Sequence, residues 1–134
     1  FGFNRQDIIK LTSDSPLEFR PTRKNILQKF EEHLIKQAKP GDVVVFNFSG
    51  HGSRILDPNP IRNCSNPKFN DNYNSTLVVP DELQNDLAPD IMGRTLFLLR
   101  SALNTDNITM LLDSCYSGGG TRGNYVIRSV PGDN

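Results

Sequence analysis

A chain of 134 residues, 36% hydrophobic and 22% charged, has the make-up of one globular domain and excludes wholesale disorder. The 15 Lys+Arg balance the 15 Asp+Glu, which gives no whole-chain argument for a nucleic-acid partner or an anionic membrane. No apolar run approaches the roughly 20 residues that cross a bilayer, and two cysteines, Cys64 and Cys115, are too few for a disulfide scaffold, so the expected compartment is the cytoplasm.

In chain order, residues 6–12 carry a short apolar run (Ile8, Ile9, Leu11) that predicts a strand, and residues 17–21 read as a connection. Thr22 is a good N-cap, and Ile26, Leu27, Phe30, Leu34 and Ile35 form one apolar helical stripe behind it. Pro40-Gly41-Asp42 ends that helix. Residues 43–48 are apolar and β-prone but for Asn47, which predicts a central parallel strand buried on both faces. Residues 54–75 are rich in Asn, Pro and Asp without periodicity and read as a long surface loop. A short strand is predicted over 76–79. Asp90 is the expected cap of a helix presenting Ile91, Leu96, Leu99 and Leu103. Residues 104–107 break that helix, and 108–112 predict a second buried strand. A glycine-rich stretch leads into a flexible tail over 120–134. This order predicts an α/β sandwich with a mostly parallel sheet. Acceptor-type triplets for N-glycosylation start at Asn47, Asn63, Asn74 and Asn107; two of them fall at predicted core strands, and all four read as chance matches.

The chemistry concentrates where the two apolar strands stop. One runs into Ser49-Gly50-His51-Gly52, the other into Asp113-Ser114-Cys115-Tyr116. In open parallel sheets, chemistry gathers beyond the carboxyl ends of the strands. A thiol attacks as thiolate, and free Cys titrates near about 8.5, so it needs a base; an imidazole can take that proton and return it to a leaving amine. His51 and Cys115 are therefore the candidate catalytic pair. Gly50, Gly52 and Gly118 let backbone approach a substrate closely. The amides of Gly50 and Cys115 are the candidate oxyanion donors, each such donor being worth about 3 kcal/mol of barrier in other enzymes. Asp113 is a poor activator of a thiol because its charge raises the thiol pKa. It is better suited to receive a substrate cation, such as an arginine guanidinium held bidentately.

The blocks Phe48-Ser49-Gly50-His51-Gly52-Ser53 and Leu112-Asp113-Ser114-Cys115-Tyr116-Ser117-Gly118-Gly119 closely resemble the two signature blocks of the caspase-like cysteine peptidases, in the metacaspase and orthocaspase branch. The resemblance implies a caspase-like three-layer sandwich with a mostly parallel central sheet. It implies Cys115 as nucleophile, His51 as base and acid, and Ser49 and Asp113 lining a pocket for Arg, then Lys, before the scissile bond. The implied reaction is endopeptidase cleavage of peptide or protein substrates through an acyl-enzyme. Arg122 and Arg128, after the nucleophile, are candidate self-cleavage sites. The resemblance also implies that residues 1–134 are a large-subunit fragment lacking the first strand and the small-subunit strands, so that the remaining segments of the precursor are its expected partners.

Many metacaspases use calcium through acidic residues, one of them seven positions beyond the cysteine; here that position is Arg122. Asp57, Asp71, Asp81 and Asp86 are scattered rather than grouped as a hard-oxygen loop. No cofactor is expected to be required, and calcium is expected to be dispensable. His33, His51, Cys64 and Cys115 show no zinc-ligand spacing, so no metal site is expected. Two other readings compete. A caspase-like scaffold without activity would be expected to lack the Cys or His, and both are present. A cysteine-dependent phosphatase wants an arginine six positions after the cysteine, where Thr121 stands, and Asp113 would repel phosphate.

Overall fold

The computed structural model describes residues 2–57, 72–80 and 90–114, and the backbone of 125–127. Thr22 caps α1 (Arg23–Lys29) as expected, its Oγ1 accepting from the Asn25 amide at 3.3 Å. The helix continues as a π-helical segment, Phe30–Ile35, in which the Lys36 amide reaches back five residues to the Glu31 carbonyl. On its outer side the Gln28 side-chain amide donates to Glu32 Oε1 at 2.9 Å and holds that carboxyl below its ordinary value. Ile26 and Phe30 of the predicted stripe are buried.

Gly41, at φ 92°, turns the chain in the left-handed region that favours glycine. Then come β1 (Val44–Ser49), β2 (Gly52–Leu56), β3 (Tyr73–Leu77), β4 (Ile91–Met92), α2 (Gly93–Ser101), β5 (Ile108–Asp113) and β6 (Tyr125–Ile127). Two three-stranded sheets result: β1-β5-β6, wholly parallel, and β2-β3-β4, antiparallel. β1 and β5 pair in strict register from Val44 opposite Ile108 to Ser49 opposite Asp113.

The core draws on both sheets and both helices. Ile26, Leu77, Val79, Ile91, Leu96, Met110 and Leu112 form one buried cluster, with Leu11, Phe46, Phe48, Leu99 and Ile108 packed on it. Because α1 and α2 both feed this cluster, they cover the same face of the parallel sheet. The Phe30 and Phe46 rings meet there, 5.6 Å apart and tilted by 57°. The opposite face carries Val45, Asn47 and Ser49 of β1 with Thr109, Leu111 and Asp113 of β5, all half-buried or exposed.

The α/β class and the parallel pair match the sequence expectation, but five local readings are corrected. Among the described residues β1 lies at a sheet edge with one packed face, not centrally with two. Residues 8–12 join no ladder; a 3-10 turn (Arg5–Asp7) precedes them, Ile8 and Ile9 stay exposed, and only Leu11 reaches the core. The expected loop over 54–75 is strand at both ends, since Arg54, Ile55 and Leu56 pair with Ser75, Asn74 and Tyr73. Asp90 does not cap α2: β4 intervenes, Met92 holds the N-cap position, and Asp90 instead accepts from Thr76 Oγ1 at 2.6 Å. Within the 120–134 tail, Tyr125–Ile127 forms β6 against Met110–Leu112 of β5. Among the described residues no helix is long and apolar enough to cross a membrane.

Candidate active site

Register decides the site. Because β1 and β5 are parallel and aligned residue for residue, their carboxyl ends stop side by side, with Ser49 opposite Asp113. Side chains alternate along a strand, so both project from the open face while Phe48 and Leu112 point to the core. Ser49 Oγ donates to Asp113 Oδ2 at 3.5 Å, the outer limit of a hydrogen bond. Among the described residues no cation pairs with Asp113. The two residues expected to receive a substrate cation are thus brought together across 64 positions of sequence.

The turn from β1 to β2 is held from three sides. The Gly50 amide donates to the Asp113 carbonyl at 3.1 Å, which extends the ladder one residue beyond Ser49. The His51 carbonyl accepts from the Val78 amide at 2.9 Å, which ties the turn to the end of β3. The His51 side chain is exposed. Third, the Phe48 ring lies close beneath Gly50: a Cβ at that position would sit 3.0 Å from Phe48 Cζ and 3.2 Å from Cε1.

This geometry corrects one expectation. The Gly50 amide was to face a developing oxyanion, but an N–H is a single donor and the Asp113 carbonyl already takes it. The remaining predicted site residues divide plainly. Ser49, His51 and Asp113 gather at the carboxyl edge of the sheet; Cys115, Arg122 and Arg128, like Cys64, lie outside the described residues.

Sequence reasoning missed two features of this edge. Phe48 reads as one more core aromatic, and its ring direction has no sequence signal. Ser114, given no role by the sequence, is only 6% exposed, and among the described residues its hydroxyl has no hydrogen-bond partner. Alternation along β5 was the available clue, since it places residue 114 on the packed side with Leu112. Away from the edge, Asp57 fastens β2 to its neighbours: its Oδ2 accepts from Arg94 at 2.9 Å and from Asn74 Nδ2 at 3.3 Å. No group of three or more His, Cys, Asp or Glu residues suited to a metal ion occurs among the described residues.

The family model described as "Metacaspase, peptidase C14 domain" matches residues 1–121. Metacaspase-1 of Lodderomyces elongisporus is 36% identical over 124 residues, covering 87% of this chain and 25% of that protein. Metacaspase-7 of Arabidopsis thaliana is 36% identical over 119 residues, covering 89% of this chain and 27% of its own length, and Metacaspase-9 of the same plant is 33% identical over 120 residues, covering 89% and 33%. The chain therefore spans a quarter to a third of the length of these relatives. Matched almost end to end by the family model and by relatives above 30% identity, the chain belongs to the metacaspase family.

Proposed function

We propose that the protein is a cysteine endopeptidase that cleaves after Arg, and less readily after Lys, with Cys115 and His51 as its catalytic pair. The observation that carries this reading is the Ser49–Asp113 pair, aligned at the ends of two parallel strands that lead directly into His51 and Cys115. The Cys115 thiolate attacks the scissile carbonyl carbon while His51 takes the thiol proton. The tetrahedral intermediate collapses as His51 returns that proton to the departing amine, leaving an acyl-enzyme thioester. Water, deprotonated by His51, attacks the thioester, and the thiol is restored with release of the acid. The Cys115 amide is the oxyanion donor of this reading, and Gly50 has no part in it.

Specificity rests on charge. A carboxylate offers about four lone-pair sites, and the long Ser49 contact engages one of them. An incoming guanidinium can therefore take Asp113 bidentately while the Ser49 hydroxyl reorients. Fluorogenic peptides identical except for a terminal Arg or Asp, assayed with the parent and Cys115→Ala, test the reading. Turnover of the Arg peptide alone, lost in the variant, is expected. Turnover of the Asp peptide would keep the nucleophile and discard the pocket; turnover of neither would favour a scaffold.

The proposal extends to self-processing after Arg122 or Arg128, checked by comparing the masses of aged parent and Cys115→Ala protein. Identical products would rule self-processing out. Activity is proposed to be independent of calcium, because Arg122 stands where the family carries an acidic residue. Loss of turnover in chelator, restored by calcium alone, would overturn this. The other segments of the same precursor are the proposed partners, and the half-buried Val45 and Leu111 on the open face of the sheet are the apolar surface they would cover. A stable monomer of residues 1–134 with one cooperative unfolding transition would overturn that partnership. The proposed location is cytoplasmic, on cysteine usage.

A further inference from the structure

We propose that Phe48 is a positioning residue of the active site: its ring, seated beneath Gly50, sets the turn that carries His51. This rests on the Cys115–His51 reading above. Two aromatic residues share the packed face of β1, and they differ in use. The Phe46 ring meets Phe30 inside the core. The Phe48 ring instead runs toward the carboxyl end of its own strand, its Cζ and Cε1 coming within 3.0 and 3.2 Å of the place a Gly50 Cβ would occupy. Gly50 has no left-handed φ. Its backbone conformation is open to any residue, so glycine here answers a need for space.

The consequences run through the turn. Phe48 is anchored below by the core cluster. Above it, the Gly50 amide is fixed to the Asp113 carbonyl at 3.1 Å and the His51 carbonyl to the Val78 amide at 2.9 Å. Both hydrogen bonds fix the backbone of the turn along its edges, and the ring is the support it has from the core side. A side chain that is shorter, or a Gly50 that is taller, changes the stand-off and moves the imidazole relative to the strand end of Asp113. Misplacement of a reacting group by about 1 Å can cost roughly a hundredfold in rate.

The test is a double-substitution cycle in the complete protein: Phe48→Leu, Gly50→Ala and both together. Thr105→Val, at the far end of the same strands, serves as a control that lowers stability alone. All are assayed well below their unfolding temperatures on the Arg peptide. Phe48→Leu is expected to lower kcat by about tenfold with KM within about twofold, a smaller misplacement than the limit above. In the double variant the alanine methyl partly refills the space left by the ring, so it is expected to be more active than the product of the two single losses. Multiplicative losses, or a kcat equal to that of the Thr105→Val control, would overturn the proposal. A second readout needs no turnover. With only two histidines in the chain, a His33→Gln background isolates the His51 imidazole in NMR. Phe48→Leu is expected to move its chemical shifts while Thr105→Val leaves them in place. An unmoved imidazole overturns the positioning role. A parent inactive on the Arg peptide with a moved imidazole instead overturns the peptidase reading alone.

Discussion

The two ends of the β1–β5 pair are built from similar residue types and treated in opposite ways. At the amino end, polar groups are closed on one another. Thr105 Oγ1 donates to the Asp42 carbonyl at 2.7 Å and accepts from the Asn107 amide at 3.2 Å. Asn107 Nδ2 reaches the Gly41 carbonyl at 3.2 Å, the Lys39 amide donates to Asp42 Oδ2 at 2.8 Å, and the Val44 amide to the Asn107 carbonyl at 2.9 Å. At the carboxyl end, about 17 Å away along a six-residue strand, the polar side chains are left with capacity. Among the described residues the Asp113 carboxylate has one long contact, the Ser114 hydroxyl has none, and His51 is exposed. Among the described residues, one end is closed by its own hydrogen bonds and the other keeps hydrogen-bonding capacity.

The largest expected effect falls at the open end. Cys115→Ala is expected to lower turnover of an Arg peptide by more than about a thousandfold, as removal of a nucleophile does elsewhere, with an unchanged unfolding midpoint. Residual turnover within tenfold of the parent would take the nucleophile away from this end altogether. Next comes Asp113→Asn, which keeps the shape and removes the charge. Loss of a charged hydrogen bond costs about 1.5–3 kcal/mol, so kcat/KM for Arg substrates is expected to fall on the order of 10- to 100-fold. An uncharged residue in the same substrate position should be nearly indifferent to the change. Equal losses on both substrates would mean that Asp113 supports the fold rather than the pocket.

That contrast explains what the sequence made legible. The β1–β5 pair is readable because runs such as Val43–Phe48 and Ile108–Leu112 are apolar, β-prone and sharply ended, and their terminal residues follow from the fold class. The β2–β3 hairpin is not, because its strands are polar and half exposed. Leu56 and Tyr73 are 65% and 53% exposed, and part of what joins the strands is Arg54 stacked over the Tyr73 ring at 5.1 Å. Such a strand has no inward apolar alternation to announce it. Residues 8–12 err the other way: Ile8, Ile9 and Leu11 carry strand composition, but composition makes no ladder without a partner. At the site, the family resemblance pointed to Ser49 and Asp113, and the strand register sets the two side by side. Residue types could not say that the ladder would run one residue further and take the Gly50 amide, nor which way the Phe48 ring would point.

The closed end gives the third prediction. Thr105 is 7% exposed and serves as donor and acceptor at once. Thr105→Val keeps the shape and strands the Asp42 carbonyl and the Asn107 amide. A hydrogen bond contributes about 0.5–1.5 kcal/mol net, so loss of the two is expected to show in denaturant unfolding as about 1–3 kcal/mol, with kcat unaltered. A change in kcat would show that the two ends are coupled along the strands.

The smallest effect is the sharpest test, because its sign is reversed. Ser114 sits at the open end, 6% exposed, with an unpartnered hydroxyl. Among the described residues that group gains no hydrogen bond in exchange for the water it loses on burial. Ser114→Ala removes the stranded oxygen and leaves a methyl in a position already packed. Stability is therefore expected to hold or to rise by up to about 1 kcal/mol, where the same kind of deletion at Thr105 lowers it. If Ser114→Ala destabilised the protein as much as Thr105→Val does, the hydroxyl would have a partner in the folded state, and the open end would be as fully bonded as the closed one. A rise in stability accompanied by a fall in kcat would show that this buried hydroxyl helps to position the strand end that leads into Cys115.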